Sequence, residues 1–208
     1  QNTADRDEFV SYRIVAFENT SVIRGSGVDC THFKPNDAEL VHTTVPRLLF
    51  CGRLIQEKGI REYLGATNAL KASGHRFESR IAGAPYPGNP SSLKASEVEA
   101  LSESHDHTLL GHHEDMAQLF RDTDIVVLPT YREGTPKALL EAIACGCIVI
   151  TTDIPGCRGV VDDGENGYLV EPKNTDAVAS AVSRVLNMER QDQDRMRQAS
   201  RHIAEERF

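Results

Sequence analysis

The stretch Asp124–Thr152, DIVVLPTYREGTPKALLEAIACGCIVITT, reads as one structural unit. An apolar run rich in β-branched residues ends at Pro129 and Thr130, a polar turn follows, and apolar positions then recur at helical spacing from about Pro136 to Cys145. Gly146 stops that helix, and CIVITT begins a second apolar run. Neither run alternates with polar residues, so both faces of each strand are covered, as in a parallel sheet packed between helices.

Working outward, RLLFCG, FESRIAG, HTLLG and GYLV are further short apolar runs closed by turn signals. Between them, amphipathic helices are predicted at about Glu57 to Ser73, Ser91 to Ser104, Met116 to Asp122 and Thr175 to Met188. Strand then helix, repeated about six times, predicts an α/β fold with a doubly wound parallel sheet of about six strands. Before Pro46 the pattern is mixed. A polar, acidic start containing DRDEF leads into TSVIRGSGVDCTHFKPND, which is expected to form a short strand running into a loop. The sequence opens on Gln1 and closes on Glu-Glu-Arg-Phe within a helical pattern, and is expected to be a piece of a longer protein.

The 208 residues, 39% of them hydrophobic, suffice for one large domain or two small ones and read as soluble and globular. A formal charge of −8 argues against a surface that coats nucleic acid or membranes, because such a surface needs clustered Lys and Arg. An anionic ligand must therefore be caught by local cations. No apolar run approaches the ~18 residues of a membrane-spanning helix. Cys30, Cys51, Cys145, Cys147 and Cys157 lack metal-ligand spacing, which fits a reduced, cytoplasmic protein. Cys145 and Cys147 read as small core residues at a helix-to-strand junction rather than as a redox or metal pair.

In a parallel sheet, ligands bind beyond the carboxyl ends of the strands. Three loops there carry chemistry: GRLIQEKG, AGAPYPGNPSS and TYREGTPK. Arg53 and Lys58 flank a loop that opens a helix, where the dipole disfavours cations. Either they are solvated charges with Glu57 as partner, or they await an anion. A diphosphate would accept hydrogen bonds from both and from backbone amides. The spacing matches neither a Walker loop nor G-x-G-x-x-G. In the third loop Thr135 is expected to be the N-cap and Pro136 a first-turn residue, with Gly134 letting the backbone approach a ligand. Lys137 is again a cation at the wrong end for the dipole. Glu133 precedes the helix, and Glu141, at its sixth position, lies about 7–8 Å further along. Paired carboxylates also serve glycosidases, but there they face each other across one bond. Acids at different depths suit two parts of one extended ligand, with a phosphate at the helix amides.

Together these segments resemble a known family. RLLFCGRLIQEKGI, and LLGHHEDMAQLFRDTDIVVLPTYREGTPKALLEAIACGCIVITTDIPGCRGVVDDGENGYLVEP, are similar to the carboxyl-terminal half of the retaining, nucleotide-sugar-dependent glycosyltransferases of group 1, family four, with the GT-B fold. The likeness runs from about Ser21 to about Val185 and includes an E-x7-E motif, GR-x4-KG, and the upstream GSGVD. The wording IRGSGVD and YREGTPKALLEA is most similar to bacterial enzymes that build O-antigen, capsule or related lipid-linked glycans, including lipopolysaccharide. The resemblance implies two Rossmann-like domains, the first holding the acceptor and the second the donor. Residues 1–28 would be the tail of an absent acceptor domain and its linker, and residues 29–208 the donor domain, truncated before the final helix.

Carried over by residue, the resemblance implies that Gly52, Arg53 and Lys58 meet the donor diphosphate and steady the leaving nucleotide. Glu141 would bond the ribose hydroxyls and Glu133 the transferred sugar. The turn Gly134, Thr135, Pro136 and Lys137 would run past sugar and phosphate, and Gly111, His112 and His113 would lie near the base. Glu133, Arg53 and Lys58 would be the catalytic groups. No metal or other cofactor is required, and a UDP-sugar is the favoured donor. A glycan or lipid-linked acceptor would come through the absent domain, nucleic acid is not a partner, and the full-length protein would act in the cytoplasm, with peripheral association at the inner membrane face allowed. Two other readings remain: a GT-B nucleotide-sugar epimerase, and a non-catalytic nucleotide-sugar-binding module. The loop AGAPYPGNPSS departs from the family's frequent Gly-Asp-Gly-Pro wording.

Overall fold

The computed structural model of the chain describes residues 2–23, 25–36 and 45–208. The six apolar runs form strands β1 (Arg47–Cys51), β2 (Glu78–Ala82), β3 (Thr108–Gly111), β4 (Ile125–Leu128), β5 (Ile148–Thr152) and β6 (Gly167–Val170). They make one sheet, parallel throughout, in the order β3-β2-β1-β4-β5-β6. Every residue of β4 and β5 is buried, which is why their sequences show no polar alternation.

The helices are α1 (Thr3–Ser11), α2 (Ile60–Ala72), α3 (Ala95–Glu103), α4 (Met116–Arg121), α5 (Lys137–Ala144), α6 (Pro155–Arg158), α7 (Thr175–Leu186) and α8 (Arg190–Arg207). The chain moves one way from β1 to β2 and the other way from β4 to β5. Right-handed crossovers therefore set α2 and α5 on opposite faces of the sheet. There α2 packs on α7 and α5 packs on α8. This is the Rossmann-like α/β sheet expected from the sequence.

The differences are local. Helix α2 begins at Ile60, three residues later than expected, because a 3-10 turn over Gln56–Lys58 and a left-handed Gly59 intervene. Helix α3 begins at Ala95 rather than near Ser91, because Ser91 and Ser92 strap the preceding loop to the segment after β1. The DRDEF region forms α1, and the closing residues form the 18-residue α8. The short strand expected within TSVIRGSGVDCTHFKPND is not formed by the described residues of that stretch; Arg24 and Asp37 lie outside them. Instead of a strand ladder, an arginine takes its carbonyls. Arg201 on α8 donates to the carbonyls of Cys30 (3.0 Å) and Phe33 (2.8 Å), and also to that of Ala144 at the end of α5 (2.8 Å).

Cys145 and Cys147 are buried core residues, as expected, and the Cys147 thiol donates to the Phe120 carbonyl at 3.3 Å. All five cysteines are free thiols.

Gly59 marks a close approach between the segments that follow the two central strands. Its φ is +76°, and a Cβ there would lie 2.1 Å from the Pro129 carbonyl oxygen after β4. Gly59→Ala thus combines a strained left-handed residue with a backbone clash, and is expected to lower the unfolding free energy by at least about 2 kcal/mol. Urea denaturation followed by circular dichroism measures this; an unchanged midpoint would refute the close approach.

Candidate functional site

Strand order reverses between β1 and β4, so the loops that follow these two strands diverge and leave a crevice at the sheet's carboxyl edge. Backbone and side-chain bonds then stitch the two loops together. The Tyr131 amide donates to the Glu57 carbonyl at 2.8 Å. The Thr130 hydroxyl lies between that same carbonyl (3.0 Å) and Oε1 of Glu133 (3.1 Å). Lys58 Nζ, from the β1 loop, forms an ion pair with Glu133 Oε1, from the β4 loop. Both side chains are largely withdrawn from water, at 21% and 14% exposure, so each stabilises the other's charge where solvent screens it poorly.

Tyr131 anchors this assembly from behind. Its hydroxyl donates to Glu62 Oε1 on α2 at 2.5 Å, and burial together with the Glu62 carboxylate pushes the phenol up to about 12. The phenol therefore stays a donor at neutral pH. Glu57, the alternative partner of the loop cations, makes no ion pair with either among the described residues. Glu57 accepts the Ser91 hydroxyl, which with its own backbone amide and the nearby Arg53 charge holds its carboxyl below the usual range.

Gly52, Arg53, His112, His113, Lys137 and Glu141 line a crevice of about 490 Å³. Glu141 forms its inner wall: it is buried, and its Oε1 lies 3.4 Å from Lys137 Nζ, one helical turn away. Burial pushes the Glu141 carboxyl above its usual value, with Lys137 opposing. Gly111 has a structural part instead. It ends β3 at φ +66°, and its carbonyl accepts the Gly83 amide at 2.7 Å.

One expected detail is corrected. The N-cap of α5 is Pro136, not Thr135, and the helix begins at Lys137, so Glu141 is its fifth residue. Pro136 is extended at φ −70°, ψ 110°, because the loop before it must pass over α6. There Gly156 touches the loop so closely that a Cβ would lie 2.2 Å from the Glu133 carbonyl oxygen and 2.5 Å from that of Gly134. The Gly134 carbonyl also accepts Asn2 Nδ2 at 3.3 Å. Thr135 faces a separate cavity of about 370 Å³, with Pro155, Gly156 and Arg158. The structure thus brings Arg53, Lys137, Glu141 and the two histidines to one crevice and seats Lys58 with Glu133 in the clasp that joins its flanking loops. Thr130 and Gly156, which aim and seat Glu133, were not singled out from sequence. The one signal for them is the wording around them, LPT before the loop and PGCR after β5.

Residues 34–203 match the family model described as glycosyl transferases group 1. Among curated proteins, the chain is 28% identical over 140 residues to a capsular polysaccharide biosynthesis glycosyltransferase, CapM, of Staphylococcus aureus, covering 67% of this chain and 36% of that protein. It is 28% identical over 145 residues to N,N'-diacetylbacillosaminyl-diphospho-undecaprenol alpha-1,3-N-acetylgalactosaminyltransferase of Campylobacter jejuni, covering 70% of this chain and 36% of that protein. The chain thus spans little more than a third of the length of these relatives. Among solved structures, that of HepE from Anabaena in complex with UDP and glucose superposes over 100% of this chain and 57% of its own, with a TM-score of 0.84 at 20% identity, a likeness of fold.

Two substitutions test the geometry. Gly156→Ala forces the Glu133 loop outward and is expected to cost about 1–3 kcal/mol, with amide exchange accelerating first at Glu133 and Gly134. Uniform acceleration across the chain would mean that the contact is not local. Glu141→Gln tests burial. Below the ordinary carboxylate value of 4.5 both folded and unfolded chains hold the proton, so burying Glu141 carries no charge penalty there. The penalty grows as pH rises and is complete above the raised folded value. Glu141→Gln is therefore expected to match the native chain in stability at low pH and to exceed it at neutral pH. Parallel melting curves across pH measure this, and a constant difference would refute it.

Proposed function

The chain belongs to the group 1 glycosyl transferases, and on that premise we propose that it is the donor-binding domain of a retaining enzyme that transfers a sugar from a nucleotide-sugar. The observation that carries this reading is the meeting of two loops at the strand reversal. Arg53 and Glu141 line one crevice there, and the Lys58–Glu133 pair clasps the loops on either side of it. A nucleoside diphosphate-sugar is long enough to use all four. Its ribose would meet Glu141, its diphosphate Arg53 and Lys58, and its sugar Glu133.

The chemistry follows from the charges. As the bond from the anomeric carbon to the diphosphate oxygen breaks, the electron pair stays on that oxygen and the sugar carbon becomes cation-like. Arg53 and Lys58 stabilise the developing negative charge, and fixed cations lower the barrier without having to reorganise. The Glu133 carboxylate, held by Lys58 and Thr130, orients the sugar and faces its positive charge.

UDP is the donor nucleotide we favour, supported by the UDP and glucose in the Anabaena structure. A lipid-linked or glycan acceptor in cell-surface polysaccharide synthesis is supported by the names of the Staphylococcus and Campylobacter relatives. That acceptor would be held by a part of the protein beyond residues 29–208. Five free thiols are compatible with the cytoplasm as the site of action.

Melting curves of the chain with UDP-, GDP- and ADP-sugars test the reading. At a ligand concentration of 100 times Kd the expected stabilisation is about 2.7 kcal/mol. Arg53→Ala and Lys58→Ala are expected to abolish most of it, and the absence of a shift with all three nucleotides would overturn the assignment.

A further inference from the structure

We propose that Tyr86 is a positioning residue for Arg53, its ring holding the guanidinium ready for the diphosphate of the donor. The inference rests on the reading of the crevice as a nucleotide-sugar site. The Arg53 guanidinium lies 5.0 Å from the centroid of the Tyr86 ring. Among the described residues that guanidinium makes neither a hydrogen bond nor an ion pair. Glu57, the nearest acid along the chain, is engaged by the Ser91 hydroxyl. Arg53 is thus an exposed cation lining the crevice, with the Tyr86 ring beside its guanidinium and the Glu57 charge nearby. A cation–π contact of this kind takes up no acceptor, so the guanidinium N–H groups remain available to bind phosphate oxygens in pairs.

Tyr86 is 48% exposed, so packing alone does not account for its place. The chain fixes it by other means. Pro85 and Pro87 flank it, each locking its own φ and restricting its neighbour to extended backbone. Hydrogen bonds tie the two loops on either side of the ring. The Leu54 amide donates to the Ala84 carbonyl at 3.0 Å, and the Leu93 amide to the Leu54 carbonyl at 2.8 Å. The Tyr86 amide itself donates to Ser92 Oγ at 3.0 Å. The backbones of Arg53 and Tyr86 therefore keep their spacing, and a flexible arginine is held near its working position before ligand arrives. Fixing a long side chain in advance removes part of the entropy cost of binding.

Calorimetry tests this with the 208-residue chain, using whichever of UDP, GDP and ADP raises its melting temperature most, and with the corresponding nucleoside, followed by ligand-observed NMR. Tyr86→Ala is expected to weaken diphosphate binding about two- to fivefold, the scale of an exposed cation–π contact. Tyr86→Phe is expected to retain native affinity. Arg53→Ala is expected to lose about tenfold or more, and adding Tyr86→Ala to it to lose nothing further. Nucleoside binding is expected to be unmoved by Tyr86→Ala. Native affinity in Tyr86→Ala beside a loss in Arg53→Ala overturns the positioning role and leaves the crevice reading intact. Equal weakening of the nucleoside, or losses that add, means that the ring touches the ligand or that the loop has shifted, and also overturns it. Native affinity in Arg53→Ala, or no nucleotide bound by the native chain, removes the crevice reading and the inference together.

Discussion

A parallel sheet covered by helices on both faces has no polar surface except at its strand ends, and this constraint governs the molecule. With β4 and β5 wholly buried, every charged group of the crevice has to come from a loop or from the first turns of a helix. The reversal of strand order between β1 and β4 separates two such loops at a single point. The Lys58–Glu133 ion pair bridges that separation, with Thr130 and the Tyr131 amide closing it from beneath. A cation and an acid drawn from the loops after two strands, neither well hydrated, neutralise each other beside the crevice.

What the sequence revealed and what it hid divide along the same line. The central strands β1, β4 and β5 were legible because burial on both faces writes itself locally as an uninterrupted apolar run, whereas the partly exposed β2 and β3 were marked by the turn signals that close them. The separation of Glu133 from Glu141 by a helix start was legible because Gly-Thr-Pro cannot continue a helix. The partner of Lys58 was not, since the competing acid Glu57 is its neighbour in the chain whereas Glu133 reaches it only through the pairing of β1 with β4. The helix start was misplaced by one residue for a similar reason. Thr135 and Pro136 are good capping residues in isolation, but the loop must ride over Gly156, a contact set by the return of the chain after β5.

The failed strand between residues 20 and 37 makes the point in reverse. Val22 and Ile23 have the composition of a strand, yet the sheet edges are β3 and β6, and no ladder reaches the described residues of that segment. The carbonyls of Cys30 and Phe33 accept from a guanidinium 171 and 168 residues away, an interaction that no window of sequence contains.

Arg201 also has a mechanical meaning. A single planar group grips two carbonyls of the segment before the sheet and the last-turn carbonyl of the helix that carries Glu141. Glu141 lies one turn from that grip, at the inner wall of the crevice. A displacement of the segment at Cys30 and Phe33 would therefore bear directly on the far end of α5. One end of α5 is thus tied to residues 30 and 33, while its inner face carries the buried acid of the crevice.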